Sequence, residues 1–374
     1  MSHQARSYSF ALVSFFLLPG IYSSWAQTSL SGISIYSSQS KQEVVISSIA
    51  EWEKERWKIQ QGMQAAMGAL PYVSGSPAPD IIFQDTLMSA SYLRINLLFL
   101  AAENEWVPAF LYLPKRTALN GRSPAMVALH PTGMLGKKIV DGQGNANRGY
   151  ARELAERGYV VIAPDYPSFG DLEHYDFDSD RYESATMAAI FYHMRCVDLL
   201  SSRQDVDPSR IGVIGHSLGG HNAMFLGAFD HRVKVIVASC GWTQFEFYDV
   251  GPKAIERFGG RLGPWAQQRY MPLLRDKFQL DDAKFPFNFH EIIALLAPRY
   301  FFSNSPANDG NFAVAGVREG IQKAKVVYDF LDVSDHVQVR YPAAEHDFPT
   351  AVRTEAYEFT DRVLGHHPSS HLIE

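Results

Sequence analysis

The sequence predicts an α/β fold in one large domain, with a mostly parallel central sheet, helices on both faces and an antiparallel N-terminal edge. Three observations carry this. First, "AMVALH" (125–130), "YVVIAPDY" (159–166), "RIGVIGHS" (210–217), "VKVIVASCG" (233–241), "PRYFFSNS" (298–305) and "VQVRYP" (337–342) are short, nearly continuous apolar runs. Strands that are apolar on both sides belong to a sheet covered on both sides. Second, helical patterns separate most of these runs, the alternation that parallel strands with crossover helices require. Third, "YLRINLLFL" (92–100) and "WVPAFLYLP" (106–114) are joined only by Ala101 to Glu105, a connection that pairs strands antiparallel.

Taken from the N-terminus, residues 1–26 read as a signal peptide: Arg6, an apolar stretch from Phe10 to Leu18, then small Ser24 and Ala26. Cleavage is expected after Ala26. The stretch is shorter than the roughly 20 residues of a membrane-spanning helix. The expected destination is the periplasm or the medium, with no membrane insertion. Residues 27–79 are expected to form a helical extension and linker, with an amphipathic helix from Gln42 to Leu70 stopping at Pro71. The catalytic domain then spans 80–374. Inside it, 242–296 is rich in Phe, Trp and Tyr and too long for an ordinary strand connection, so it is a candidate cap over a pocket.

With 46% hydrophobic and 13% aromatic residues, the 374-residue chain has ample material for a large core. A net charge of -6 with no run of Lys and Arg argues against nucleic acid or an anionic membrane surface as partner. A small organic or carbohydrate substrate remains open, and the sequence leaves the oligomeric state unknown. Cys196 and Cys240 are too few for a disulfide framework and read as buried free thiols, although one bridge between them stays open. No H-E-x-x-H, C-x-x-C, dinucleotide or phosphate loop occurs, so no metal and no cofactor are expected.

The chemistry concentrates in "IGVIGHSLGGHN" (211–222). Ser217 follows a strand pattern and precedes a helix pattern, with Gly215 and Gly219 at the spacing of a nucleophile elbow. A serine hydroxyl needs a base, and the base a carboxylate to orient it. In this architecture they follow the serine in the order acid, then histidine. His346 in "YPAAEHDFP" follows the last strand, and Asp309 in "FFSNSPANDGNF" follows the penultimate one. Glu246 and Asp249 remain alternative acids, Asp335 with His336 a rival pair, and Asp347 is expected to point elsewhere. For the oxyanion, the Leu218 N–H is one donor; Thr132 or Gly133 in "ALHPTGMLG" supplies the other, because Pro131 has no N–H. His130, His216, Tyr166, Phe169 and Trp242 are candidate pocket walls, while His221 reads as packing and Asp165 as fixing its own turn.

These pieces together resemble the dienelactone-hydrolase-like and acetyl-xylan-esterase-like branch of the α/β-hydrolases. The resemblance runs over roughly residues 80–365, through "FLYLP", "LHPTG", "RGYVVIAPDYPSFGD", "DPSRIGVIGHSLGGH", "FHEIIALLAPRYFF" and "EHDFP". It implies an α/β-hydrolase fold, Ser217, Asp309 and His346 as catalytic triad, and hydrolysis of acetyl or aryl esters of carbohydrates or similar small esters. The sequence departs from relatives with a cysteine nucleophile, and from glucuronoyl esterases with an arginine after the nucleophile, so no substrate name carries over. A serine peptidase of prolyl-oligopeptidase type and a non-catalytic binding protein on this scaffold are the competing classes.

Overall fold

The computed structural model describes residues 32–71, 78–115 and 121–368; the expected signal peptide, residues 1–26, lies outside them. An N-terminal hairpin pairs β1 (Ile33–Ser37) with β2 (Gln42–Ile46) and leads into α1 (Ile49–Met67). The central sheet begins with three antiparallel strands, β3 (Ile81–Met88), β4 (Tyr92–Ala102) and β5 (Glu105–Pro114). Six strands follow: β6 (Ser123–Leu129), β7 (Val160–Pro164), β8 (Val206–His216), β9 (Val233–Ser239), β10 (Tyr300–Asn304) and β11 (Val337–Arg340). They pair in parallel, and β5 joins them antiparallel to β7. The spatial order is β11-β10-β9-β8-β6-β7-β5-β4-β3, so β8 is near the middle.

The helices between these strands are α2 (Tyr150–Glu156), α3 (Ala185–Ser202), α4 (Leu218–Phe229), α5 (Pro252–Phe258), α6 (Leu273–Asp276), α7 (Phe289–Leu296), α8 (Val314–Phe330) and α9 (Thr350–Leu364). Successive strand residues point to opposite faces, so each apolar run feeds two cores. Val213 and Ile236 join the core containing α1, α3, α4, α7 and α8, while Ile214, Val235 and Val237 join the one containing α2 and α9. This is why the strands lack the apolar-polar alternation of a half-exposed sheet.

Two elements differ from expectation. The predicted helix over Gln42–Leu70 splits into β2 and α1, because Val44, Val45 and Ile46 pair across the hairpin with Ile33, Ser34 and Ile35. Ser48 then caps α1, accepting the Glu51 N–H at 3.3 Å, while the Glu51 carboxylate accepts the Ser47 N–H at 2.7 Å. Nor is this segment set apart: Trp52, Ile59 and Met63 of α1 are buried in the main core. Strand β3, "IIFQDTLM", was not anticipated, and its largely exposed side chains explain the weak signal.

Candidate active site

Ser217 stands between β8 and α4 with φ 56 and ψ -119, a region that residues with a Cβ rarely occupy. The turn keeps its shape because the Ser217 N–H donates to Ser239 O at 2.8 Å and its carbonyl accepts the Gly220 N–H at 2.8 Å. The glycines on either side are required by space. A Cβ at Gly215 would lie 2.0 Å from Gly219 O, and one at Gly219 would lie 2.1 Å from Leu129 O. The pattern glycine-x-serine-x-glycine thus follows from how closely β8, α4 and the end of β6 approach.

Asp309 follows β10 and His346 follows β11, and the structure brings them together. His346 Nδ1 lies 2.9 Å from Asp309 Oδ1 and 3.0 Å from Oδ2, so Nδ1–H donates to the carboxylate and Nε2 is left as the acceptor. The buried carboxylate also accepts the backbone N–H groups of Asn311 at 2.8 Å and Phe312 at 3.1 Å. The loop carrying His346 is gripped from behind: Arg148 donates to His346 O at 3.0 Å and to Asp347 Oδ1 at 2.6 Å, and Asn304 donates to Asp347 O at 2.8 Å. The Cys240 thiol lies close to Asp309 and His346, with one candidate ligand atom of each within 4.8 Å of the others. Burial first, and then the charge of Asp309, push this thiol well up. It therefore stays protonated, and with Nδ1 given to the carboxylate the trio is poorly suited to hold a metal.

The loop opposite, 130–136, carries Thr132 and Gly133. A buried ion pair holds it in place: Asp165 accepts the Lys137 N–H at 2.7 Å and its Nζ at 2.5 Å, and Asp171 accepts the same Nζ at 2.5 Å. Gly136, at φ 52, allows the approach, since a Cβ there would meet Asp165 Oδ1 at 2.1 Å. The Thr132 hydroxyl is 2.8 Å from the Tyr270 hydroxyl, a contact from the aromatic 242–296 segment.

Two cavities meet at Ser217. One, of about 240 Å³, is bordered by Ser217, Leu218 and His221 together with Trp265 and Tyr270 of the 242–296 segment. The other, of about 530 Å³, is bordered by Ser217, Gly133, Arg148, His216 and His346. Thr132 and Asn311 border both. His216, buried against Ser239 Oγ at 2.9 Å, is held well below the usual imidazole range by burial and then by the Arg148 charge.

The other candidate walls lie deeper. His130 stacks on Tyr166 with ring centroids 3.8 Å apart, the Tyr166 hydroxyl donates to His130 O, and Phe169 packs edge-on against both. Trp242 is buried with its indole N–H on Ser303 Oγ at 3.0 Å. These four residues support the loops from behind and do not border either cavity. The alternative acids are engaged elsewhere: Glu246 accepts from Asn288 at 2.8 Å, and Asp249 accepts the Gly251 N–H at 2.8 Å. His336 stacks on Tyr300 and donates to Pro298 O at 2.5 Å. Cys196 and Cys240 are both free and buried. Sequence reasoning missed Arg148 and Asn311, which sit in loops with no motif of their own; Tyr270 and Trp265 were signalled only as part of an aromatic-rich segment.

The chain is similar to several known proteins. The family described as "Glucuronyl esterase, fungi" matches residues 168–332. The protein YtaP of Bacillus subtilis (strain 168) is 28% identical over 273 residues, covering 70% of this chain and 85% of that protein. Carbohydrate esterase MZ0003, from an unknown prokaryotic organism, is 26% identical over 204 residues, covering 50% of this chain and 46% of that one. Among solved structures, a glucuronoyl esterase from Solibacter usitatus superposes with a TM-score of 0.65 at 18% identity, covering 90% of this chain and 98% of that chain. With its elbow, its sheet order and these relatives, the chain has the α/β-hydrolase fold and is a serine carboxylic ester hydrolase.

Proposed function

We propose that this hydrolase is exported and cleaves acetyl or aryl esters of carbohydrates or similar small esters, with Ser217 as nucleophile, His346 as general base and Asp309 as its orienting acid. His346 Nε2 takes the Ser217 proton as Oγ bonds to the ester carbonyl carbon. The oxyanion that forms is held by the Leu218 N–H and by an N–H of Thr132 or Gly133. The alcohol leaves with the proton from His346, and water repeats the cycle to free the acid and regenerate Ser217. Export rests on the sequence of residues 1–26. The observation that carries the reading is the left-handed Ser217 turn sharing one cavity with a histidine whose Nδ1 is committed to a buried carboxylate.

The test is hydrolysis of p-nitrophenyl acetate, butyrate and octanoate and of methyl ferulate by wild type and Ser217→Ala. Turnover that falls by about three to six orders of magnitude in the variant supports the assignment. Near-normal turnover in the variant refutes Ser217 as nucleophile.

A further inference from the structure

The two cavities at Ser217 differ in composition and in which catalytic group they contain. The smaller one is lined by the rings of Tyr248, Phe258, Trp265, Tyr270 and Phe312, and by Leu218. The larger one is lined by Asn145, Arg148 and His346 together with Pro131, Met134, Leu135 and Ile139, and His346 is not among the described residues that border the aromatic one. Resting on the ester-hydrolase reading above, we infer that the aromatic cavity receives the acyl half of the substrate, as an aryl or arylalkenyl acid, and that the larger cavity, which His346 borders, receives the alcohol.

The chemistry of the second half-step sets the direction. When the tetrahedral intermediate collapses, the bond between the carbonyl carbon and the alcohol oxygen breaks. That oxygen takes its proton from His346 Nε2, while the acyl group stays bonded to Ser217 Oγ. The leaving oxygen must therefore face His346, and whatever is attached to it extends into the cavity that His346 borders. The acyl chain, on the same carbon as the leaving oxygen, extends the other way, into the cavity that Ser217 borders and His346 does not.

Size and surface then set the class. An apolar cavity of about 150 Å³ is enough for benzene, so about 240 Å³ accepts one aromatic ring and a short linker. Rings prefer edge-on or offset partners at 4.5 to 7 Å, and the wall already uses that packing: Trp265 lies 5.4 Å from Tyr248 and 6.0 Å from Phe312 between centroids. Tyr248 and Tyr270 also bring hydroxyls, which suit a phenolic ring. On the other side, the exposed Asn145 amide is a group that binds alcohol hydroxyls. Phe258 is half-buried at the end of α5, and Asn145 is exposed, so each can be truncated without opening the core.

The test uses kcat/KM for wild type, Phe258→Ala and Asn145→Ala on two ester sets. One holds the alcohol as methanol and varies the acid through acetate, butyrate, benzoate and cinnamate. The other holds acetate and varies the alcohol through methanol, phenol and methyl xyloside. The inference expects Phe258→Ala to lose roughly tenfold on benzoate and cinnamate relative to acetate, with the ranking of alcohols unchanged. Asn145→Ala is expected to lose several-fold on the xyloside alone. A Phe258→Ala variant that re-ranks the alcohols and leaves the acids alone would reverse the assignment and overturn it. Wild-type hydrolysis unaffected by either substitution also overturns it, while leaving the esterase reading standing. No turnover of either set by the wild type removes the esterase reading and the assignment together.

Discussion

Asp309 and His346 are 37 residues apart in the chain, yet His346 Nδ1 sits almost equally between the two carboxylate oxygens, at 2.9 and 3.0 Å. Such a carboxylate fixes the imidazole tautomer and stabilises the imidazolium that forms during attack. Asp309→Asn is expected to lower kcat by about four orders of magnitude with little change in KM. Glu246→Gln and Asp249→Asn, whose carboxylates accept from Asn288 and from the Gly251 N–H, are expected to stay within a few-fold of wild type. Steady-state kinetics on p-nitrophenyl acetate decides between the three positions.

The elbow gives a structural prediction. A methyl group at Gly219 would lie 2.1 Å from Leu129 O, against backbone that belongs to the central strand β6 and cannot yield cheaply. Gly219→Ala is therefore expected to destabilise by about 1–3 kcal/mol or more. Thermal melting should show a lowered midpoint in this variant, together with loss of activity. Gly310→Ala, where a Cβ meets nothing within 4 Å, is the matched control and should melt like wild type.

The Lys137–Asp165 pair is buried on both sides. Removing one partner leaves an uncompensated charge in the interior, which costs about 3–5 kcal/mol. Lys137→Met should lower stability by that order. The double variant Lys137→Met with Asp165→Asn should recover part of the loss, as read from chemical denaturation. If the single and double variants were equally unstable, the cost would lie in packing and not in the charge.

Acid should destabilise the fold in a window set by buried imidazoles. Burial lowers His130 and His290 to about 4 and His193 and His221 to about 3. These groups stay neutral in the folded chain but take a proton in the unfolded one below about 6.5. Stability is thus fully present above that pH and is lost as the pH falls toward 4. Glu291, raised to about 7 mainly by burial, works the other way, losing its contribution as the pH rises from about 4.5 to 7. With His216 also held down by burial, the lowered imidazoles outnumber the raised carboxyls, and the net effect is a loss on acidification. His193 isolates the effect: neither ring nitrogen has a hydrogen-bond partner among the described residues, and the ring packs edge-on against Tyr166 at 5.2 Å. His193→Phe keeps the packing and should raise stability at pH 5 by about 1 kcal/mol or more, with a shallower acid limb. A variant that melts below wild type at pH 5 contradicts this.

The parallel half of the sheet was legible because its strands are buried on both faces and so appear as unbroken apolar runs, from Ala125 to Val339. Ser217 was legible for a steric reason, since its two glycines are demanded by backbone contacts. Strand β2 was not, because Val44, Val45 and Ile46 directly precede a helix and their apolar spacing merges with its own. Strand β3 was not, because most of its side chains are exposed and carry no pattern. Tyr166, Phe169 and Trp242 were assigned to the pocket from strand-end position alone, and what decides between lining a cavity and lying behind it is the loop path. The same holds for Arg148, which reaches His346 O from a loop 198 residues away.

Ser217 ends a strand near the centre of the sheet, whereas His346 follows β11, the strand at its far edge. Local helices and neighbouring strands form quickly, and pairings between distant parts of a chain form slowly. On the proposed triad, activity is accordingly expected to return late in folding, because a chain with β6, β8 and α4 assembled still lacks the docked His346 loop. During refolding, recovered ellipticity should run ahead of recovered activity. A chain that ends after α8 would carry a finished nucleophile that stays silent, which makes turnover a direct readout of whether the last strand has docked.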